Sequence, residues 1–521
     1  MTPPESRRLR VVTWLAVVAL AAAVWINTAW IADDAYITFR SVDNLWRGFG
    51  PRWNVIERVQ PYTHPLWFLL LAIGHGLGPS LYTVALALSL ACTALTGWLI
   101  ASRVASSTPV AVFGVVALTS SCAFAQFSSS GLENPLTAVL LVLFWIACWR
   151  GAPGRAQTFH LTLLLSLCWL TRPDSVVLIL PAWALSLWAV RGPSRAGPIL
   201  AGLAPIIAWE TFSLVYYGRP LPNSAYAKLG GGIPGGEMVM QGLRYLADSA
   251  LRDYVTLPAV AAAVCLAMTR GAAGLAVAAG MLLELAYIVR AGGDFMSGRF
   301  LTGVFVSAIA FLCDAVTVPR RAFWLVPAAV ALVSLASPAS PLRLWQRPAP
   351  GDPLVERFAG IVDERTFYYP FTGLIPVLGG KDPSQQPWAD AGRQWRGSRG
   401  VIAFEAVGLM GFYGGPAVHV IDTVGIADPL LAQLPTTDRV WRPGHLHRAI
   451  PEGYENGLRE CLAHVLPRVA RAPVPESCLD VPRTNQIADR AIAATYDDIQ
   501  VITQGPIFTW RRARLVAASL F

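Results

Sequence analysis

Long apolar runs alternate with short polar loops through the first two thirds of the chain. At about 17–25 residues per crossing, this pattern predicts eleven transmembrane helices. They are placed near 11–31, 81–102, 109–127, 134–149, 156–171, 174–190, 196–216, 254–269, 271–290, 300–318 and 321–338. The apolar stretch 65–78 (PLWFLLLAIGHGLG) is too short to span and reads as an interfacial helix. After 339 the pattern changes. VIAFEA and AVHVID read as strands around a Gly-rich turn, and 453–464 reads as a helix. The predicted fold class is a polytopic α-helical membrane protein of about eleven transmembrane helices over 1–338, followed by a C-terminal soluble α/β domain over 339–521. No internal repeat or low-complexity tract interrupts it.

Composition agrees with a lipid solvent. The chain is 54% hydrophobic and only 14% charged, against about 25% charged in soluble proteins. Its net charge of +9 does not mark a nucleic-acid partner, because many of the arginines sit in short loops between apolar runs. With the N-terminus inside, every short cytoplasmic loop is basic, carrying Arg103, Arg150 and Arg155, Arg191 and Arg195, Arg270, or Arg320 and Arg321. The N-terminal run then reads as an uncleaved first helix rather than a signal peptide. The long loops and the C-terminal domain fall outside, the first of them being 32–80. Six cysteines lie in apolar runs as inert packing residues. Cys461 and Cys478 lie in the outer region, where they can form a disulfide.

Ionisable residues collect on the outer side. Asp33 and Asp34 follow the first helix directly, in IADDAYITFR. Adjacent carboxylates repel, so one of them takes a raised pKa, a cation or an Arg partner. Such a pair suits a general base or a ligand for a divalent metal, with Asp33 or Asp34 as that ligand; the alternative is that one acid caps the following helix. Arg40 lies further along, able to pair with an Asp or hold a phosphate. Glu57 and His64 close the loop, His64 being a proton carrier, a ligand or a simple hydrogen-bonder. Glu133, in SSSGLENPL, is costly at a helix end unless it serves a site or a cap. Arg172 and Asp174 read as a local ion pair. YYGRPLPNSAYAKL offers Tyr226 and Lys228, the latter one of very few lysines and a candidate for a lipid phosphate or a headgroup anchor. GGDFMSGRF offers Asp294 and Arg299 beside a glycine pair that lets backbone approach a ligand. The His445-x-His447 pair reads as surface loop rather than metal site.

These stretches together (ADDAYITFRSVDNLWRGFGPRWNVIERVQPYTHPLW, GLENPL, TRPD, YYGRPLPNSAYAKL, GGDFMSGRF and IDTVGIADPLL) resemble the GT-C superfamily of membrane glycosyltransferases. Within it, the chain is most similar to the terminal arabinofuranosyltransferases of the mycobacterial cell wall and the related pilin arabinosyltransferases. The resemblance implies a multi-pass protein of the bacterial inner membrane with a periplasmic active site. It implies transfer of a sugar, D-arabinofuranose by preference, from a polyprenyl-phosphate donor to a glycan or protein acceptor such as pilin. Asp33 and Asp34 are then the catalytic candidates. Arg40, Glu133, Tyr226, Lys228, Asp294 and Arg299 are the donor- or phosphate-binding candidates, and His64 and Glu57 are secondary ones. Competing readings are transfer of another lipid-linked sugar and transport of a lipid-linked glycan. A transporter ordinarily shows repeated halves and broken midplane helices, which this sequence lacks.

Overall fold

The computed structural model describes residues 3–189, 195–229, 231–316, 321–344, 359–398, 400–438, 441–469, 477–481 and 484–519. A helix stands in every apolar run predicted to span, from Pro3–Thr28 to Leu325–Ala336. The run 65–78 is also helical, over Pro65–Gly76. Four of the described helices are long and apolar enough to cross a membrane: Val11–Thr28, Leu81–Val104, Ala196–Tyr216 and Gly271–Arg290. A fifth span results if the bent pair Gly235–Arg252 and Thr256–Ala267 is counted as one. The chain is a helical membrane protein, but length alone does not reach eleven crossings. Several predicted spans are shortened by local breaks. The run 109–127, for example, divides into Thr108–Ser120 and Cys122–Phe127, because Ser121 leaves the helix and its hydroxyl caps the Phe124 amide.

The structure divides into two compact units. The first comprises Met1–Ile31, Ala85–Pro205 and Gly235–Gly380. Its helices pack both with sequence neighbours, as Asn134–Arg150 does with Arg155–Trp169, and with distant ones, as Ser175–Ala189 does with Gly271–Arg290. The 107° bend between Gly235–Arg252 and Thr256–Ala267 has a polar cause. Asp253 accepts from the Val255 amide (2.9 Å), the Cys122 amide (2.8 Å) and the Thr256 hydroxyl (2.6 Å). One carboxylate thus serves the start of two helices. Residues 359–380 also belong here. Val362 donates to Phe295 O (2.8 Å) and accepts from Ser297 N (3.0 Å), while Asp363 accepts from Gln126 (3.0 Å).

The second unit comprises Ala32–Val84, Ile206–Pro234 and Lys381–Phe521. Its sheet has two strands, β1 (Val401–Phe404) and β2 (His419–Asp422), paired in parallel with Val401 opposite His419. Parallel strands need a crossover, and the helix Val407–Gly414 supplies it. Both predicted strands are therefore present, shortened to four residues. The predicted helix 453–464 runs Tyr454–Val469. Cys461 and Cys478 are bonded, with Cα atoms 5.4 Å apart. Ile37 and Trp53 share one core with Val407, Met410, Val418 and Val420, so the first loop is built into this unit.

Candidate functional site

The six sequence stretches singled out above sort into two groups, one in each unit. ADDAYITFR with its following loop, YYGRPLPNSAYAKL and IDTVGIADPLL lie in the second unit. GLENPL, TRPD and GGDFMSGRF lie in the first.

In the second unit, Asp33 and Asp34 begin the helix Asp33–Trp46, whose N-cap is Ala32. Neither acid occupies the N-cap position. Asp33 instead receives the first-turn amides of another helix, Gly408 N at 3.0 Å and Leu409 N at 2.7 Å. Helix N-termini favour a carboxylate for this reason. The approach depends on glycine: a Cβ at Gly408 would lie 1.9 Å from Asp33 O, and one at Gly411 would lie 2.7 Å from the Trp53 ring. Burial raises the Asp33 carboxyl to about 7; the Leu409 amide opposes this, the charge of Asp34 adds to it, and the Gly408 amide opposes it again. Both Asp33 oxygens are thus engaged by backbone, whereas Asp34 is partly exposed.

Arg40 is buried and makes four hydrogen bonds to protein acceptors. Its Nε donates to Trp53 O (2.8 Å), Nη1 to Gly411 O, and Nη2 to Val418 O (2.7 Å) and Asn54 Oδ1 (3.3 Å). Its guanidinium lies 4.4 Å from the Trp53 ring centre. These donors bind the first loop to the β1–β2 crossover. His64 is similarly internal, with Nε2 2.8 Å from the Thr38 hydroxyl. Glu57 is buried and accepts from Asn54 (3.1 Å). Burial raises its carboxyl, and the charge of Asp428 raises it further. Asn54 continues the edge of β2, donating to Val420 O (3.1 Å) and accepting from Val420 N (3.2 Å).

Tyr226 and Lys228 ride on the short helix Asn223–Leu229. Asn223 is buried and donates to the carbonyls of Gly425 (2.9 Å), Ile426 (3.1 Å) and Asp428 (3.0 Å). It is a clamp to the IDTVGIADPLL turn, not a ligand. Asp422 and Asp428 hold that turn from within. Asp422 accepts from Val424 N and Ala427 N, and Asp428 from Leu430 N and Leu431 N. The Arg219 guanidinium lies 4.7 Å from the Tyr226 ring centre, and Lys228 projects into solvent. His445 and His447 are tied to loop partners. His447 lies between Glu405 (2.7 Å) and Asp438 (3.0 Å), two carboxylates that raise its pKa against a lowering by partial burial.

His419 gives a pH test of this packing. Burial, and secondarily the charge of Arg40, lowers it to about 3, so it is neutral in the fold. With His419 neutral, its 4.0 Å approach to Glu57 is not an ion pair. An unfolded His binds a proton below about 6.5 while the folded one does not. Stability therefore falls as pH drops through that window toward 3, by about 1.4 kcal/mol per pH unit. Wild type should lose thermal stability relative to His419→Gln between pH 6.5 and 4.5, with a constant difference above 7. A difference that stays constant across the whole range would show that His419 titrates alike in both states.

In the first unit, Glu133 pairs with Arg172 (3.2 Å) and Arg299 (3.6 Å). Arg172 also pairs with Asp174 (3.0 Å), and Arg299 with Asp294 (3.5 Å). No side chain of this group is more than 12% exposed. The predicted Arg172–Asp174 pair is present, but as part of a network that joins all three stretches. Glu133 stands at the N-cap position of Asn134–Arg150 without a side-chain cap bond; its carboxylate goes to the network instead. Glu284 interacts electrostatically with Asp174 and Arg172 and was missed, although a lone Glu within an apolar run is itself a signal. Both arginines are paired with carboxylates.

The sequence allows a divalent metal at Asp33 or Asp34. Among the described residues, no group of three or more His, Cys, Asp or Glu is arranged to hold one.

The fold and these two groups define a helical membrane protein with a partly exposed acid beside a buried one at the start of a helix. No family model matches the chain, and no solved structure matches it. Over 548 aligned positions it is 29% identical to the terminal β-(1→2)-arabinofuranosyltransferase of Mycobacterium tuberculosis, and 85% of each chain is covered. It is 28% identical over 321 positions to the terminal β-(1→2)-arabinofuranosyltransferase of Corynebacterium glutamicum, which covers 52% of this chain and 46% of that protein. The chain is a relative of these bacterial arabinofuranosyltransferases.

Proposed function

We propose that this protein is a membrane glycosyltransferase that moves an arabinofuranosyl unit from a polyprenyl-phosphate donor to a glycan or protein acceptor at the periplasmic face of the inner membrane. The observation that carries the chemistry is the unequal pair at the head of Asp33–Trp46. Asp33 is anchored by two amides, and Asp34 remains partly exposed. A base must come within hydrogen-bond reach of the hydroxyl it deprotonates, and Asp34 is the member able to do so. Asp33 positions it by fixing the helix start. Likeness to proteins named as arabinofuranosyltransferases supports the sugar. The basic cytoplasmic loops support the orientation.

The step is a displacement at the anomeric carbon. Asp34 takes the acceptor proton, the acceptor oxygen bonds to that carbon, and the carbon–phosphate oxygen bond breaks, leaving polyprenyl phosphate. Negative charge then grows on the departing phosphate while positive charge develops on the ring. Lys228, exposed in the last turn of its helix, is the cation offered to that phosphate. The test is incubation of the purified protein with polyprenyl-phosphate sugars differing only in the sugar. Release of polyprenyl phosphate, with sugar moved to acceptor, is expected from the arabinofuranosyl lipid in preference to hexosyl lipids. Preferential use of a hexosyl lipid would overturn the sugar assignment and leave the transferase class standing.

A further inference from the structure

The end of one span is fastened to the C-terminal segment of the chain. The last carbonyls of a helix have no partner within it and carry partial negative charge. At the end of Ala196–Tyr216, Val215 O accepts from Arg512 Nη1 (2.8 Å), and Tyr216 O accepts from Arg512 Nη2 (3.1 Å) and Arg58 Nε (3.0 Å). The same two arginines hold the preceding turn: Arg512 Nε donates to Ile502 O (2.8 Å), and Arg58 Nη2 donates to Ile502 O (3.1 Å) and Gly505 O (2.5 Å). The helix Trp510–Ala518 is therefore bolted to the terminus of a helix long and apolar enough to cross a membrane. That span exposes Ile207, Phe212 and Val215 along its last turns, as a lipid-facing helix does.

Arg512 and Val516 are the buried residues of the terminal helix and, four apart, share its inner face. Trp510 and Arg514 each stand two positions from Arg512, about 200° around the helix, so they face outward. Phe508 is 92% exposed and Trp510 78% exposed, and Arg511 and Arg514 are exposed beside them. Two large aromatic side chains flanked by arginines, held at the end of a span, match the amphipathic chemistry of the membrane–water boundary. The arginines complement anionic lipid phosphates.

We propose that residues 506–519 form an interfacial anchor. Phe508 and Trp510 seat at the headgroup–acyl boundary, and Arg511 and Arg514 pair with anionic lipid headgroups. The partner is the lipid surface itself, and the C-terminal region is a membrane-docked body rather than a free soluble tail.

The test uses the full chain in nanodiscs of phosphatidylethanolamine and phosphatidylglycerol. A photo-crosslinking phenylalanine analogue replaces Phe508, Trp510 or, as a control, the exposed Asn456. Lipid adducts at 508 and 510 are expected at least about tenfold above those at 456, a contrast reflecting the sharp apolar gradient at the interface. Charge reversal of Arg511 and Arg514 to Glu should lower the adduct yield in anionic discs and leave it unchanged in phosphatidylcholine discs. Adducts to protein only, or lipid adducts equal to those at 456, would overturn the anchor; an unchanged yield in anionic discs would overturn the role of the arginines. Hydrogen exchange of the unmodified chain checks the same claim without substitution. Amides of 507–511 should be slower in nanodiscs than in a lipid-free amphipathic polymer, and equal rates would contradict lipid docking.

Discussion

Replacing Asp34 with asparagine is expected to lower arabinofuranosyl transfer by about 10²–10⁴-fold, the usual contribution of a positioned general base, without loss of fold or donor binding. The substitution is nearly isosteric and removes only basicity and charge. Asp33→Asn should behave differently. An asparagine side chain has one acceptor oxygen, while Gly408 N and Leu409 N together use two. One buried amide is then stranded, at about 1–3 kcal/mol. Asp33→Asn should therefore lower thermal stability measurably and reduce transfer less than Asp34→Asn. Transfer rates, donor binding and unfolding temperature measured on both variants separate the two roles. The reverse ranking would make Asp33 the base and Asp34 the support.

Removal of Arg172 should be the most destabilising single change in the first unit. The guanidinium lies between Glu133 and Asp174 and over the Phe300 ring at 4.6 Å. Arg172→Met leaves two buried carboxylates short of a cation, a loss on the order of 3–5 kcal/mol. Replacing the acids as well, in Glu133→Gln with Asp174→Asn, removes the stranded charges. The cost of Arg172→Met should then shrink to a fraction of its original value. Thermal unfolding across this cycle of variants measures the coupling directly. Equal costs in both backgrounds would mean that the network carries no mutual stabilisation.

The residues that bear charge were legible in the sequence because an acid or arginine near an apolar run has few reasons to be there. Glu133, Arg172, Asp174, Asp294 and Arg299 stood out for that reason, and they do form one network. What each charge touches was not legible. For Arg40, nothing local reveals that it donates to carbonyls at Gly411 and Val418, more than 370 residues away. Asp33 could be placed in the acidic pair, but its amide partners at Gly408 and Leu409 depend on the glycines of VGLMG allowing a close crossing. Those glycines read only as part of a turn. The units escaped the sequence for the same reason: 32–84 and 206–234 join 381–521 through contacts distant along the chain. Helices in the apolar runs, set by local periodicity, were legible, whereas those at Gly235–Arg252, Arg490–Gln504 and Trp510–Ala518 were not, nor were span lengths. A break such as that at Ser121 depends on one hydroxyl leaving the helix to cap the next.

In the proposed reaction Asp34 takes an acceptor proton while an arabinofuranosyl unit leaves a lipid phosphate. The most direct test is a single-turnover reaction in proteoliposomes with polyprenyl-phosphate arabinofuranose labelled in the sugar, an arabinan acceptor, and either wild type or Asp34→Asn. Wild type should yield labelled acceptor and free polyprenyl phosphate in equal amounts. The variant should bind the donor and yield neither product at a comparable rate. Labelled lipid that crosses the bilayer intact with no label in the acceptor, or equal transfer by the two proteins, would contradict the account.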